Sequence, residues 1–293
     1  MKIILFLIFI LSTTIILPAY SIDLSEFENV GLKSKYIIIF DGKDKHESLI
    51  EKEGHIFNIH HSTLSENSVE SLIQFQNMKI LSDEQWELQM FLAKINKNQE
   101  SIFNVFTKNS IIESQICLTK AKNGIDSSDQ FTSSWIKCAA YFLTDAIISL
   151  NKHRPSSSHM LAILRNLKSN QTNETLSTVL NSLGLERSTP SLLKRMAKSA
   201  IGLSDLVGKN NSKIIQQKTN YFIEKSLLSD CYFYIGYENR NNFYRVKNSL
   251  DAYPEMIHIL KIGFDLEHDI STFDKDIQSL TNVIQILLKS THN

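Results

Sequence analysis

Only nine glycines and four prolines punctuate the 293 residues of this chain. Together they make about 4% of positions where roughly 12% is usual, too few for the tight reversals of a β-sandwich or barrel. Long helices are therefore the expectation. Hydrophobic residues (42%) and charged residues (21%) occur in globular proportion, which excludes a disordered, collagenous or coiled-coil chain and provides for a buried core. Lys plus Arg (31) balances Asp plus Glu (31). No chain-wide field draws the protein to nucleic acid or to an anionic membrane, so any such binding must be local.

Met1-Lys2 precedes an apolar run from Ile3 to Leu17, interrupted only by Ser12, Thr13 and Thr14, and then Pro18-Ala19-Tyr20-Ser21. A positive start, an apolar segment and small residues at Ala19 and Ser21 read as a secretory signal over residues 1–21, cut after Ser21. Two alternatives stay open. The run approaches the length of a membrane anchor if it is not cleaved, and a misassigned start would leave the protein cytoplasmic. Cys117, Cys138 and Cys231 are widely spaced, with no Cys-x-x-Cys pair. Their apolar surroundings predict buried thiols rather than a disulfide.

The fold class read from the pattern is α+β, mainly α, with a small N-terminal α/β unit over residues 22–83 followed by a larger helical bundle over 84–293. In the first region Tyr36–Phe40 is a β-branched run stopped by Asp41-Gly42 and predicts a strand. Residues 44–53 read as a short helix closed by Gly54, 55–61 as a strand, 65–75 as a second helix and 77–81 as a third strand. From Glu84 onward apolar residues recur at helical spacing, including Leu88, Phe91, Leu92 and Ile95. Ser188-Thr189-Pro190 predicts a helix start, and Pro254 a break in the helix around 246–262.

His46, His55, His60 and His61 cluster within sixteen residues. Neutral imidazoles bind Zn²⁺ or Cu²⁺, which makes His46, His60 and His61 the candidate ligands. Adjacent histidines on a strand point to opposite faces, however, so no metal is expected and no cofactor is called for. Tyr232 and Tyr234, with Arg240 and Arg245, are candidates for stacking and holding a nucleotide ligand. The same aromatic cluster, which includes Phe233, Tyr237, Phe243 and Tyr244, equally predicts a core seam or dimer face.

Lys137 to Asn151, followed by Arg154-Pro-Ser-Ser-Ser-His159, resembles the entry helices of the HEPN family. The resemblance rests on Ala140, Tyr141, Ala146, Leu150, Pro155 and His159, and the helix at 218–239 is similar to the family's late tyrosine-bearing helix. It implies a helical domain over about 100–265. Many HEPN proteins are ribonucleases that use an Arg, four to six intervening residues and a His, which makes Arg154 and His159 the catalytic candidates. Pro155 directly after the Arg and the early position depart from that pattern, and Arg240-Asn241 has no following His within six residues. HEPN domains often accompany a nucleotidyltransferase, and the N-terminal unit is similar to a reduced one, although it lacks the Gly-Ser turn and the carboxylates for Mg²⁺. The unit also faintly resembles a subtilisin-type prodomain, although no protease follows it. The expectation is a non-catalytic, exported binding protein acting as a homodimer on an unspecified protein or nucleotide ligand. The alternative is an intracellular HEPN or nucleotidyltransferase-type enzyme.

Overall fold

The computed structural model describes residues 19–23, 34–42, 47–52, 55–209, 211–266 and 270–291. The chain is α+β and mainly α, and divides between Gln99 and Glu100 into two compact units. The first holds a five-stranded sheet in the order β3-β4-β2-β1-β5, made of Ala19–Asp23 (β1), Ser34–Phe40 (β2), Glu47–Lys52 (β3), His55–Ser62 (β4) and Lys79–Ser82 (β5). β2 and β4 run parallel, with Ile37 opposite Ile59 and Ile39 opposite His61, while the other pairings are antiparallel. Ile37 to Phe40 are all buried, as a β-branched strand flanked on both edges should be.

β3 corrects the helix expected at 44–53. Glu47-Ser-Leu-Ile-Glu-Lys52 is less than two turns, too short to hold a helix by its own hydrogen bonds. Only two residues separate it from β4, and antiparallel pairing from Lys52 with His55 to Glu47 with His60 satisfies its backbone instead. A single turn, α1 (Val69–Leu72), continues as a 3-10 turn to Phe75. Helix α2 (Glu87–Lys97) also belongs to this unit, where Phe91 meets Phe40 and Phe75 with ring centroids at 5.8 and 5.7 Å.

The second unit opens with α3 (Gln99–Ser127) and α4 (Thr132–Leu150). It continues through α5 (Met160–Arg165), α6 (Gln171–Glu174), α7 (Leu176–Leu183), α8 (Pro190–Leu206) and α9 (Ser212–Glu224). It closes with α10 (Leu228–Ala252), α11 (Ile257–Phe264) and α12 (Phe273–Ser290). Sixteen of the nineteen residues of α4 are buried, so this helix is the axis of the bundle and not a surface element. Thr189 caps α8 by accepting from the Leu192 N–H, with Pro190 in the first turn, and Pro254 separates α10 from α11, both as expected. Among the described residues no helix is long and apolar enough to cross a membrane.

Three contacts fix how α4 meets α10. Lys137 meets Tyr232, Asp145 meets Arg240, and a Cβ added to Gly236 would lie 1.9 Å from the Tyr141 hydroxyl. Each pair is separated by 95 residues and each row steps by four. The two helices therefore run parallel along their i, i+4, i+8 ridges, and Gly236 is the point where only a residue without a side chain fits.

Candidate functional site

Lys137 is the most demanding residue of the seam, since an ammonium inside an apolar helix must be surrounded by acceptors. It is buried, and Nζ donates to Tyr232 OH and Phe264 O at 2.8 Å, Asp265 O at 3.0 Å and Leu183 O at 3.1 Å. Leu183 and Phe264 are the last residues of α7 and α11, so the cation sits where two helices present unpaired carbonyls and the negative ends of their dipoles. Tyr232 OH lies 2.9 Å from Asp265 Oδ2, which also holds Arg187 Nε at 2.9 Å. Burial and the neighbouring Arg187 pull the Lys137 ammonium down to about 7, against the pull of Asp265 and Glu186.

Lys137 and Arg187 form one wall of a cleft of about 180 Å³ between α4, the end of α7 and the start of α12. Ser133, Asn181, Ser182, Thr272, Lys275 and Asp276 complete much of the lining. Lys137, Arg187 and Lys275 line the cleft with Asp276, although the Lys137 ammonium is held by four acceptors and Arg187 by Asp265; the α12 N-terminus adds partial positive charge from its first-turn N–H groups. Burial raises the Asp276 carboxyl above its usual range, with Lys275 opposing. Drug-sized ligands occupy pockets of roughly 300–1,000 Å³, so this cleft suits a small anion and not a whole nucleotide.

At the other end of the seam Asp145 and Arg240 form a buried ion pair at 2.5 Å, and Tyr237 OH donates to Asp145 at 2.7 Å. The guanidinium also donates to Asn241 Oδ1 and lies over the Tyr237 and Phe142 rings, 4.1 and 4.4 Å from their centroids. Burial pulls Arg240 down, but Asp145 and Tyr237 more than offset it and the group is held charged. Burial raises Asp145, with Arg240 and Tyr237 opposing. This buried pair fixes the register of α4 against α10.

Tyr232 and Tyr234 are 1% exposed and Arg240 is buried with them; the aromatic cluster is the core seam, and of the four ligand candidates only Arg245 reaches solvent. Arg154 and His159 are likewise buried. His159 ends the loop before α5, with Nδ1 3.1 Å from Ser156 Oγ. His46 lies outside the described residues. His60 and His61 follow one another on β4, and His61 Nδ1 is 2.8 Å from Asp41 Oδ2. Among the described residues no group of three or more His, Cys, Asp or Glu is placed to hold a metal. Cys117, Cys138 and Cys231 are free and buried, as expected.

Sequence reasoning missed Lys137, Arg187, Asp265 and Lys275. One signal was available for the first: Lys137 and Asp145 are the only charged residues between Trp135 and Leu150, and charges in a buried stripe require partners.

No family model and no curated protein sequence matches the chain. Among solved structures it is similar to a nucleotidyltransferase-like protein from Exiguobacterium sibiricum. That match has a TM-score of 0.33 and 8% identity, and covers 79% of this chain and 74% of that one. A likeness so remote carries no functional argument.

Proposed function

We propose that this chain is a non-catalytic binding protein whose helical unit is HEPN-like and holds a small anion, of the size of sulfate or phosphate, in the α4–α7–α12 cleft. The observation that carries the reading is the presence of Lys137, Arg187 and Lys275 in the lining of one small cleft at a helix N-terminus. The buried positions of Arg154 and His159 favour binding over RNA cleavage, because a base and a phosphate-holding cation must both reach the substrate. The proposal includes export, with residues 1–21 as the leader cut after Ser21, which removes three of the five residues of β1.

Isothermal titration with sodium sulfate tests the reading. One site with a Kd of about a millimolar or tighter is expected, weakened about tenfold by Lys275→Glu, whose exposed side chain can be replaced without disturbing the core. Absence of binding at tens of millimolar sulfate overturns the anion site. RNA cleavage, or transfer from ATP with Mg²⁺, that is lost in His159→Ala overturns the non-catalytic reading.

A further inference from the structure

The outer face of α3 is apolar along a single line. Val105, Ile112 and Ile116 are 40%, 55% and 39% exposed, and their spacing of seven and then four residues puts them on one stripe of the helix. The opposite face of α3 is already engaged: Ser114 Oγ donates to Ala139 O at 3.0 Å, and Thr107 Oγ1 meets Ser149 Oγ at 2.8 Å.

Lys108 and Glu113 flank this stripe on opposite sides, five residues apart. In two parallel helices packed through such a seam, the flanking position of one helix faces the opposite flank of its partner five residues further on. Lys108 then meets the Glu113 of a second copy, twice by symmetry. Antiparallel pairing brings like flanks together and forgoes both contacts. Glu113 is already oriented, since Tyr244 OH donates to its Oε2 at 3.2 Å. Asn109 lies on the same line between Val105 and Ile112, and a single polar residue in a helical seam sets register at some loss of stability.

We infer that α3 is a self-association surface. Two copies of the chain pair through α3, parallel about a twofold axis, with Val105, Ile112 and Ile116 each meeting its own counterpart and Lys108 facing the other protomer's Glu113. Three apolar layers make less than the standard interface of about 1,600 Å², so the dimer is reversible and weakens with salt. The inference is independent of the anion site.

Sedimentation velocity on the full chain tests it. A concentration-dependent dimer is expected by about 100 µM, absent in Ile112→Asp and weakened about tenfold in Lys108→Glu. Combining Lys108→Glu with Glu113→Lys should restore the affinity lost in Lys108→Glu alone. Because a parallel twofold axis brings residue 112 against itself, Ile112→Cys should form an inter-chain disulfide under mild oxidation. Lys108 and Ile112 are exposed and Glu113 is half-buried beside Tyr244, and circular dichroism confirms the fold of each variant. A monomer at 100 µM, a dimer that survives Ile112→Asp, or a double charge reversal as weak as Lys108→Glu alone overturns the proposal.

Discussion

At Lys137 burial and hydrogen bonding oppose one another, and the balance is readable as pH dependence. Its folded-state value of about 7 lies below the ordinary 10.5, so between these limits the unfolded chain binds the proton more tightly. Stability without ligand therefore rises as pH increases from about 7 toward 10.5. Anion binding has the opposite sign, because a charged ammonium in the wall of the cleft attracts an anion across a short distance; Arg187 is held charged, its value raised by Tyr232 and Asp265 against burial. Sulfate keeps its charge from about pH 5 to 9, so a loss of sulfate affinity through about pH 7 reports the protein alone. Burial raises the Asp276 carboxyl, with Lys275 opposing, so a second titrating group lines the cleft. The expected outcome is a urea midpoint that rises while sulfate affinity falls, with both trends flattened in Lys137→Met. A wild-type profile superimposable on that of Lys137→Met would remove Lys137 from the site.

Among the elements, the strand at Ala19–Asp23 has the most consequence, because it lies inside the sheet between β2 and β5. A chain beginning at Ile22 lacks the pairs of Ala19 with Phe40, Tyr20 with Ile39 and Ser21 with Ile38, and two of the pairs to β5. Losing them should destabilise the sheet by about 1–3 kcal/mol, seen as faster amide exchange in β2 and β5 for residues 22–293 than for residues 19–293. Intact mass of protein from its native host locates the cut, and a mature chain starting at Ile22 with unchanged exchange would contradict the placement of β1. Elements with local signals were legible in advance: β2 from its isoleucines, the α8 start from Thr189-Pro190, and the end of α10 before Pro254. β3 was not, because a six-residue segment with little preference of its own takes the structure its neighbour imposes.

For the whole molecule, the three thiols test whether the core is closed. Cys117, Cys138 and Cys231 are each 1% exposed or less, and burial pushes the first and last up to about 12 and Cys138 well above its ordinary value. A thiol reagent should label none of the three within minutes in the native protein and all three in guanidinium, and thermal stability should not depend on reductant. Rapid labelling of one thiol would place its helix outside the packed core. Such burial was predictable, because apolar residues at helical spacing state which faces must be covered wherever the covering comes from. Interactions spanning a few residues set the mainly helical class, the positions of most helices and their breaks, and the burial of the cysteines, and all of these were legible in the chain alone. Which groups answer one another was settled by packing: Lys137 with Tyr232 and Asp265, Asp145 with Arg240, and Lys275 with Lys137 in the lining of one cleft. A local pattern states that a buried charge needs a partner, but the partner is chosen by packing across about a hundred residues of chain, where sequence spacing carries no geometry.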